Sequence, residues 1–147
     1  MNRIFLTTLL LLGSMFVLQA QNHHFLGEKF GGGIVFSTNA NGTHGLIAET
    51  EDLGIYAANM VGKAIRIGHY SIKGSKFNDW RIPTPSELKL LYKNRSLIGS
   101  LNSGMYYWSA TMGFPQKAVG CINFNSGTEV TKNQFPKAAM IRLIREF

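Results

Sequence analysis

Apolar positions between residues 30 and 48 fall in two short runs parted by turn chemistry. Phe30-Gly31-Gly32-Gly33 leads into Ile34-Val35-Phe36-Ser37-Thr38, which is rich in β-branched and aromatic side chains. Asn39-Ala40-Asn41-Gly42 follows, and then Gly45-Leu46-Ile47-Ala48. The pattern predicts a β-hairpin, ended by Glu51-Asp52-Leu53-Gly54. Over residues 55–77 the period changes. Ala57, Met60, Val61, Ala64 and Ile65 recur at helical spacing, and Gly68 and Gly74 are placed to terminate the run. A helix is predicted there, with Lys63, Arg66 and Lys73 on its wetter side or just beyond it.

A sharper signal stands at residues 78–95, Asn-Asp-Trp-Arg-Ile-Pro-Thr-Pro-Ser-Glu-Leu-Lys-Leu-Leu-Tyr-Lys-Asn-Arg. Thr84 can accept a hydrogen bond from the amide of Glu87, whose side chain can reach back to the Thr84 amide. Pro85 takes the first helical position, where a missing N–H costs nothing. Leu88, Leu91 and Tyr92 then share one face, with Lys89 and Lys93 away from it, and the helix should stop between Asn94 and Gly99. Trp80 and Ile82 are expected to pack inside. Trp80, Pro83, Thr84 and Glu87 thus read as a structural joint that fixes where a helix begins.

From Met105 the pattern turns to β. Tyr106–Ser109 is one strand candidate and Ala118–Phe124 another, and Asn125-Ser126-Gly127 makes a tight turn into Thr128–Thr131. The final run, Ala138–Phe147, fits two patterns. Its composition has good helix propensity and apolar pairs four apart, yet its alternation also suits a closing strand.

The beginning of the chain reads as an address. Met1-Asn2-Arg3 is a short positive region, Ile4–Val17 is almost wholly apolar, and Ala20 offers a small residue before a cut at Gln21. The apolar run is short for a membrane span. Residues 1–20 are therefore expected to be a signal peptide, residues 21–29 a flexible polar segment, and residues 30–147 one domain. The product would be secreted, periplasmic or at the cell surface, touching a membrane only during export.

The whole chain carries 15 Lys+Arg against 8 Asp+Glu, for a charge of +7, and removal of Arg3 leaves +6. That balance suits polyanions such as acidic polysaccharide, although the cations are scattered and also fit an ordinary solvated surface. Cys121 is the only cysteine, so no internal disulfide can form. Between Val119 and Ile122 it reads as a small buried strand residue.

Catalytic and cofactor chemistry find little support. His23, His24, His44 and His69 lack metal-ligand spacing, so no metal site is expected. Glu51-Asp52 reads as turn decoration rather than an acid–base pair. Gly31-Gly32-Gly33 precedes a strand, not a helix, and so makes no phosphate cradle. No clustered acidic run suits calcium. The chain reads as a non-enzyme without cofactors, and no specific nucleic-acid partner is expected.

The blocks, in order, resemble the Lcl C-terminal domain family, long catalogued as a domain of unknown function. Gly32–Phe36 and Asn41–Ala48 resemble its opening. Asp79-Trp80-Arg81-Ile82-Pro83-Thr84 with Glu87-Leu88 resembles its central motif, extended by Leu91-Tyr92. Tyr107–Thr111 resembles its Tyr-Trp-Ser-Ser block. Asn123-Phe124 with Gly127, and Ile141–Arg145, resemble its closing strands. The likeness spans most of residues 31–147. It implies an α+β fold of the C-type lectin-like kind, with two helices, a mixed antiparallel sheet and pairing of the first and last strands. It also tips residues 139–146 toward strand. The Trp-Arg-Ile-Pro-Thr run is similar to one in formylglycine-generating enzymes, whose chemistry uses two cysteines. With one cysteine here, that similarity implies the scaffold and not the reaction. Asn41-Gly42-Thr43 and Asn94-Arg95-Ser96 fit glycosylation sequons, which the mainly bacterial family makes coincidental.

Two functional classes follow. One is a recognition module, adhesive in the sense of carbohydrate binding, that holds a glycan or other polyanion with Trp108, Lys117, Asn123, Asn125, Lys132 and Asn133. These supply stacking, charge and amide hydrogen bonds, although Trp108 fits the core equally well. The other is a structural or assembly module that meets a protein partner or further copies of itself through the same surface.

Overall fold

A computed structural model describes residues 22–61, 77–110, 119–131 and 134–147. The chain is α+β, and the described residues hold nine short strands in two sheets and two complete α-helices. The first sheet holds β1 (Lys29–Phe30), β2 (Gly33–Thr38), β3 (Gly45–Glu49) and β9 (Ile144–Glu146), in the order β1-β2-β3-β9 and antiparallel throughout. The second holds β4 (Gly54–Ala57), β8 (Ala138–Ile141), β5 (Tyr106–Trp108), β6 (Val119–Asn123) and β7 (Glu129–Thr131), in the order β4-β8-β5-β6-β7. Only the β5–β8 pair in it is parallel. Helices α1 (Pro85–Lys93) and α2 (Arg95–Ile98) follow one another across Asn94.

The predicted hairpin forms as β2 and β3. Its turn is held by Asn39, whose Oδ1 accepts from the amides of Thr43 and His44. A bulge skips Phe36 in the pairing, with Val35 opposite Ile47 and Ser37 opposite Leu46. Val35 enters one apolar cluster with Trp80, Trp108, Cys121, Ile141 and Leu143. Phe36 enters the other with Leu88, Leu91, Ile98, Tyr107, Ile122 and Phe124. Neighbouring residues thus bury on opposite faces, which is why these strands are continuous apolar runs instead of strict alternations.

Three expectations are corrected. Residues 55–57 belong to strand β4, because Ile55 and Tyr56 pair with Met140 and Ala139. A 3-10 turn at Ala58–Met60 then runs into an α-helical residue, Val61, and the rest of the expected helix lies outside the described residues. Ala64, Ile65, Lys63, Arg66 and Lys73 lie outside the described residues. The segment expected to be flexible is pinned over residues 22–29. The His24 amide donates to the Gly42 carbonyl at 2.8 Å and the Gly27 amide to Val35 at 2.8 Å, while the His24 ring stacks on Phe30.

The third correction concerns the chain's end. Residues 138–146 are extended despite their helix propensity, but Arg142-Leu143 splits them into two strands serving different sheets. The last strand pairs with β3, Ile47 facing Arg145, and not with the first strand, which pairs with β2 alone. Tertiary pairing overrides local propensity here because both flanks offer open strand edges.

Candidate functional site

The Trp-Arg-Ile-Pro-Thr motif folds as a joint. Arg81 and Ile144 exchange backbone hydrogen bonds of 2.8 Å each, tying the motif to β9. Trp80, Ile82 and Pro83 are buried. The capping box forms in both directions, with the Glu87 amide donating to Thr84 Oγ1 and the Thr84 amide to Glu87 Oε2 at 2.8 Å. Arg81 adds a two-pronged contact to Glu87, 2.7 Å at each oxygen, and reaches Glu146 at 2.6 Å. Burial pushes the Glu87 carboxyl up, but the donors from Arg81 and Thr84 outweigh it and hold the group down at about 2. The side chains of Arg81, Thr84 and Glu87 are thus committed to one another, while the buried Trp80 Nε1 has no hydrogen-bond partner among the described residues.

Of the expected ligand face, Trp108, Asn123 and Asn125 are described. Trp108 is 0% exposed, lies edge-on to Phe135 and donates its indole N–H to the Tyr56 carbonyl at 2.7 Å. It is a core residue and offers no stacking surface. Asn123 spends its Oδ1 on the amides of Asn125 and Ser126, at 2.9 and 3.0 Å, so it builds the β6–β7 turn. Gly127 completes that turn at φ 75°, with a Tyr92 ring packed where a Cβ would stand. Asn125 is exposed at its tip. Lys117, Lys132 and Asn133 lie outside the described residues.

A buried polar cluster escaped sequence reading. Arg142, fully buried, donates from Nε to Asp52 at 2.7 Å, from Nη1 to the Glu49 carbonyl and from Nη2 to the Ser100 carbonyl. Tyr107 gives its hydroxyl to the other Asp52 oxygen at 2.9 Å and accepts from the Asn102 amide. Burial pushes the Tyr107 hydroxyl up to about 12. Asp52 is therefore an anchor and not surface decoration. The available signal was an arginine flanked by apolar residues in Met-Ile-Arg-Leu-Ile. Cys121 is buried as expected, and burial raises its thiol to about 12, which keeps it un-ionised and poorly nucleophilic.

Beside the β6–β7 turn lies a cleft of about 350 Å³ lined by Arg95, Ser96, Leu101, Ser103 and Phe124. Phe124 connects it to the turn, tilted against Tyr107 and edge-on to Tyr92. Arg95 lies 4.1 Å above the Tyr92 ring, with Nη1 donating to the Tyr92 carbonyl at 2.9 Å. The local cause is the break at Asn94. It starts α2 immediately after α1 and folds Arg95 back over the last turn of α1. Sequence reading missed this cleft because Arg95 carries no motif of its own. No protein-family model matches the chain, and no curated protein matches it. No helix among the described residues is long and apolar enough to cross a membrane.

Proposed function

We propose that this chain is an exported, non-catalytic recognition module of the Lcl C-terminal, C-type lectin-like kind, binding a glycan or other polyanion. One observation carries the reading: a rigidly held arginine without a carboxylate partner among the described residues, in a cleft beside an exposed turn. The excess of 15 Lys+Arg over 8 Asp+Glu favours the same class of partner. Support for a non-catalytic role comes from Cys121, whose buried thiol is held un-ionised. The test is a glycan and polyanion array probed at two salt concentrations. Retention of anionic glycans that weakens with salt supports the reading, and silence across the array ends it.

An assembly role has its own observation. β4 is an edge of the second sheet, and its Ile55 is 59% exposed. Concentration-dependent sedimentation that disappears in Ile55→Lys would favour that role.

A further inference from the structure

Four arginines lie among the described residues, and three of them are neutralised. Arg81 holds Glu87 and Glu146, Arg142 holds Asp52, and Arg145 holds Asp79 at 2.8 Å. Arg95 has no carboxylate within reach, although all eight acidic residues of the chain are among the described ones. Its position is nevertheless fixed, one face on the Tyr92 ring and Nη1 on the Tyr92 carbonyl. Nε and Nη2 have no partner among the described residues. They form a preorganised pair of donors in one plane, which matches two oxygens of a carboxylate. Because the side chain is already immobilised, little rotamer entropy remains to be lost on binding.

The walls narrow the ligand further. Ser96 and Ser103 bring hydroxyls that can donate or accept, and Leu101 and Phe124 bring an apolar surface. A body with hydroxyls on its rim and C–H groups on its face meets both. At about 350 Å³, the cleft is at the small end of ligand sites and suits one ring rather than a run of them. We infer that the Arg95 cleft binds a single sugar acid through its carboxylate. This rests on the reading of the chain as a recognition module, and adds the ligand class and the anchoring residue.

The probe is sodium glucuronate, titrated into the isotope-labelled full chain and followed by amide NMR, with glucose and glucose 6-sulfate in parallel. Glucuronate should give saturable shifts at Arg95, Ser96, Leu101 and Ser103. Binding should weaken by about tenfold or more in Arg95→Gln and for glucose, since each lacks one half of the charged pair. Arg95→Lys keeps the charge but loses the fork and should fall between. Ser103→Ala should weaken binding without moving the melting temperature. No saturable shift in the parent chain overturns the assignment, as does unchanged binding in Arg95→Gln. Equal binding of glucose 6-sulfate overturns the carboxylate preference. Polyanion retention on the array without any glucuronate response removes the cleft while leaving the recognition module standing. Silence in both experiments removes both.

Discussion

Glu87 shows how much one carboxylate can be asked to do. It closes the capping box, grips Arg81 and sits at about 2 instead of its ordinary 4.5. Because the folded value lies below the unfolded one, the native state binds fewer protons. Its stabilising contribution is complete above pH about 4.5 and lost as pH falls toward 2. Urea unfolding between pH 2 and 6 should show that loss, and Glu87→Gln should flatten it. Thr84→Ala removes only the hydroxyl side of the cap and should cost about 1 kcal/mol. Trp80→Ala empties a buried indole site and should cost on the order of 3 kcal/mol or more. Arg142→Ala leaves Asp52 half-buried without its cation and should cost roughly 3–5 kcal/mol. Each is read from the same denaturant titration.

Elements were legible where local chemistry decides them. The hairpin turn and the start of α1 follow from side chains within five residues of one another, Asn39 with His44 and Thr84 with Glu87. After Gly54 the helical spacing holds at Met60 and Val61 but fails at Ala57, because the pairing that makes β4 a strand comes from residues 138–141, more than eighty positions away. The same distance hid the break at Arg142-Leu143. A buried arginine there has to reach Asp52, and no local pattern announces it. Close packing between elements is as demanding. Gly120 in β6 stands where an added Cβ would collide with the Phe135 ring, and an aromatic ring cannot yield as a flexible side chain can. Gly120→Ala should therefore destabilise by about 1–3 kcal/mol, measured as a lowered midpoint at unchanged m-value.

At the scale of the molecule, the proposed Arg95 cleft lies beside the β6–β7 turn, the same turn around which the sequence gathers Asn123 and Asn125. The sequence left Trp108 open between a stacking platform and the core, and β5 decides for the core by burying Trp108 on one face and Tyr107 on the other. That Arg95 has no carboxylate partner among the described residues was invisible because ion pairing is a property of the whole fold. Only when Arg81, Arg142 and Arg145 are seen with their carboxylates does the fourth stand apart. Charge adds a broader expectation. Lys117→Glu combined with Lys132→Glu should reduce retention on a sulfated polysaccharide and leave thermal stability nearly unchanged. An equal loss after reversing the exposed Lys29 and Lys93 would assign the attraction to net charge alone.

The last ten residues give this chain a timetable. They deliver β8 and β9, the Arg142 anchor, and Ala139, Ile141, Leu143 and Ile144 of the two cores. Their partners, among them Leu46, Ala48, Asp52 and Ile55, were made some ninety residues earlier. Neither sheet can close until residues 138–146 have been made, and at roughly 5–20 residues per second that leaves the growing polypeptide open for seconds. A chain stopped after residue 137 should show no cooperative thermal transition and should bind a holding chaperone. A chain extending through residue 147 should acquire that transition. Such lateness is an asset to any polypeptide that must pass through a narrow pore before it folds.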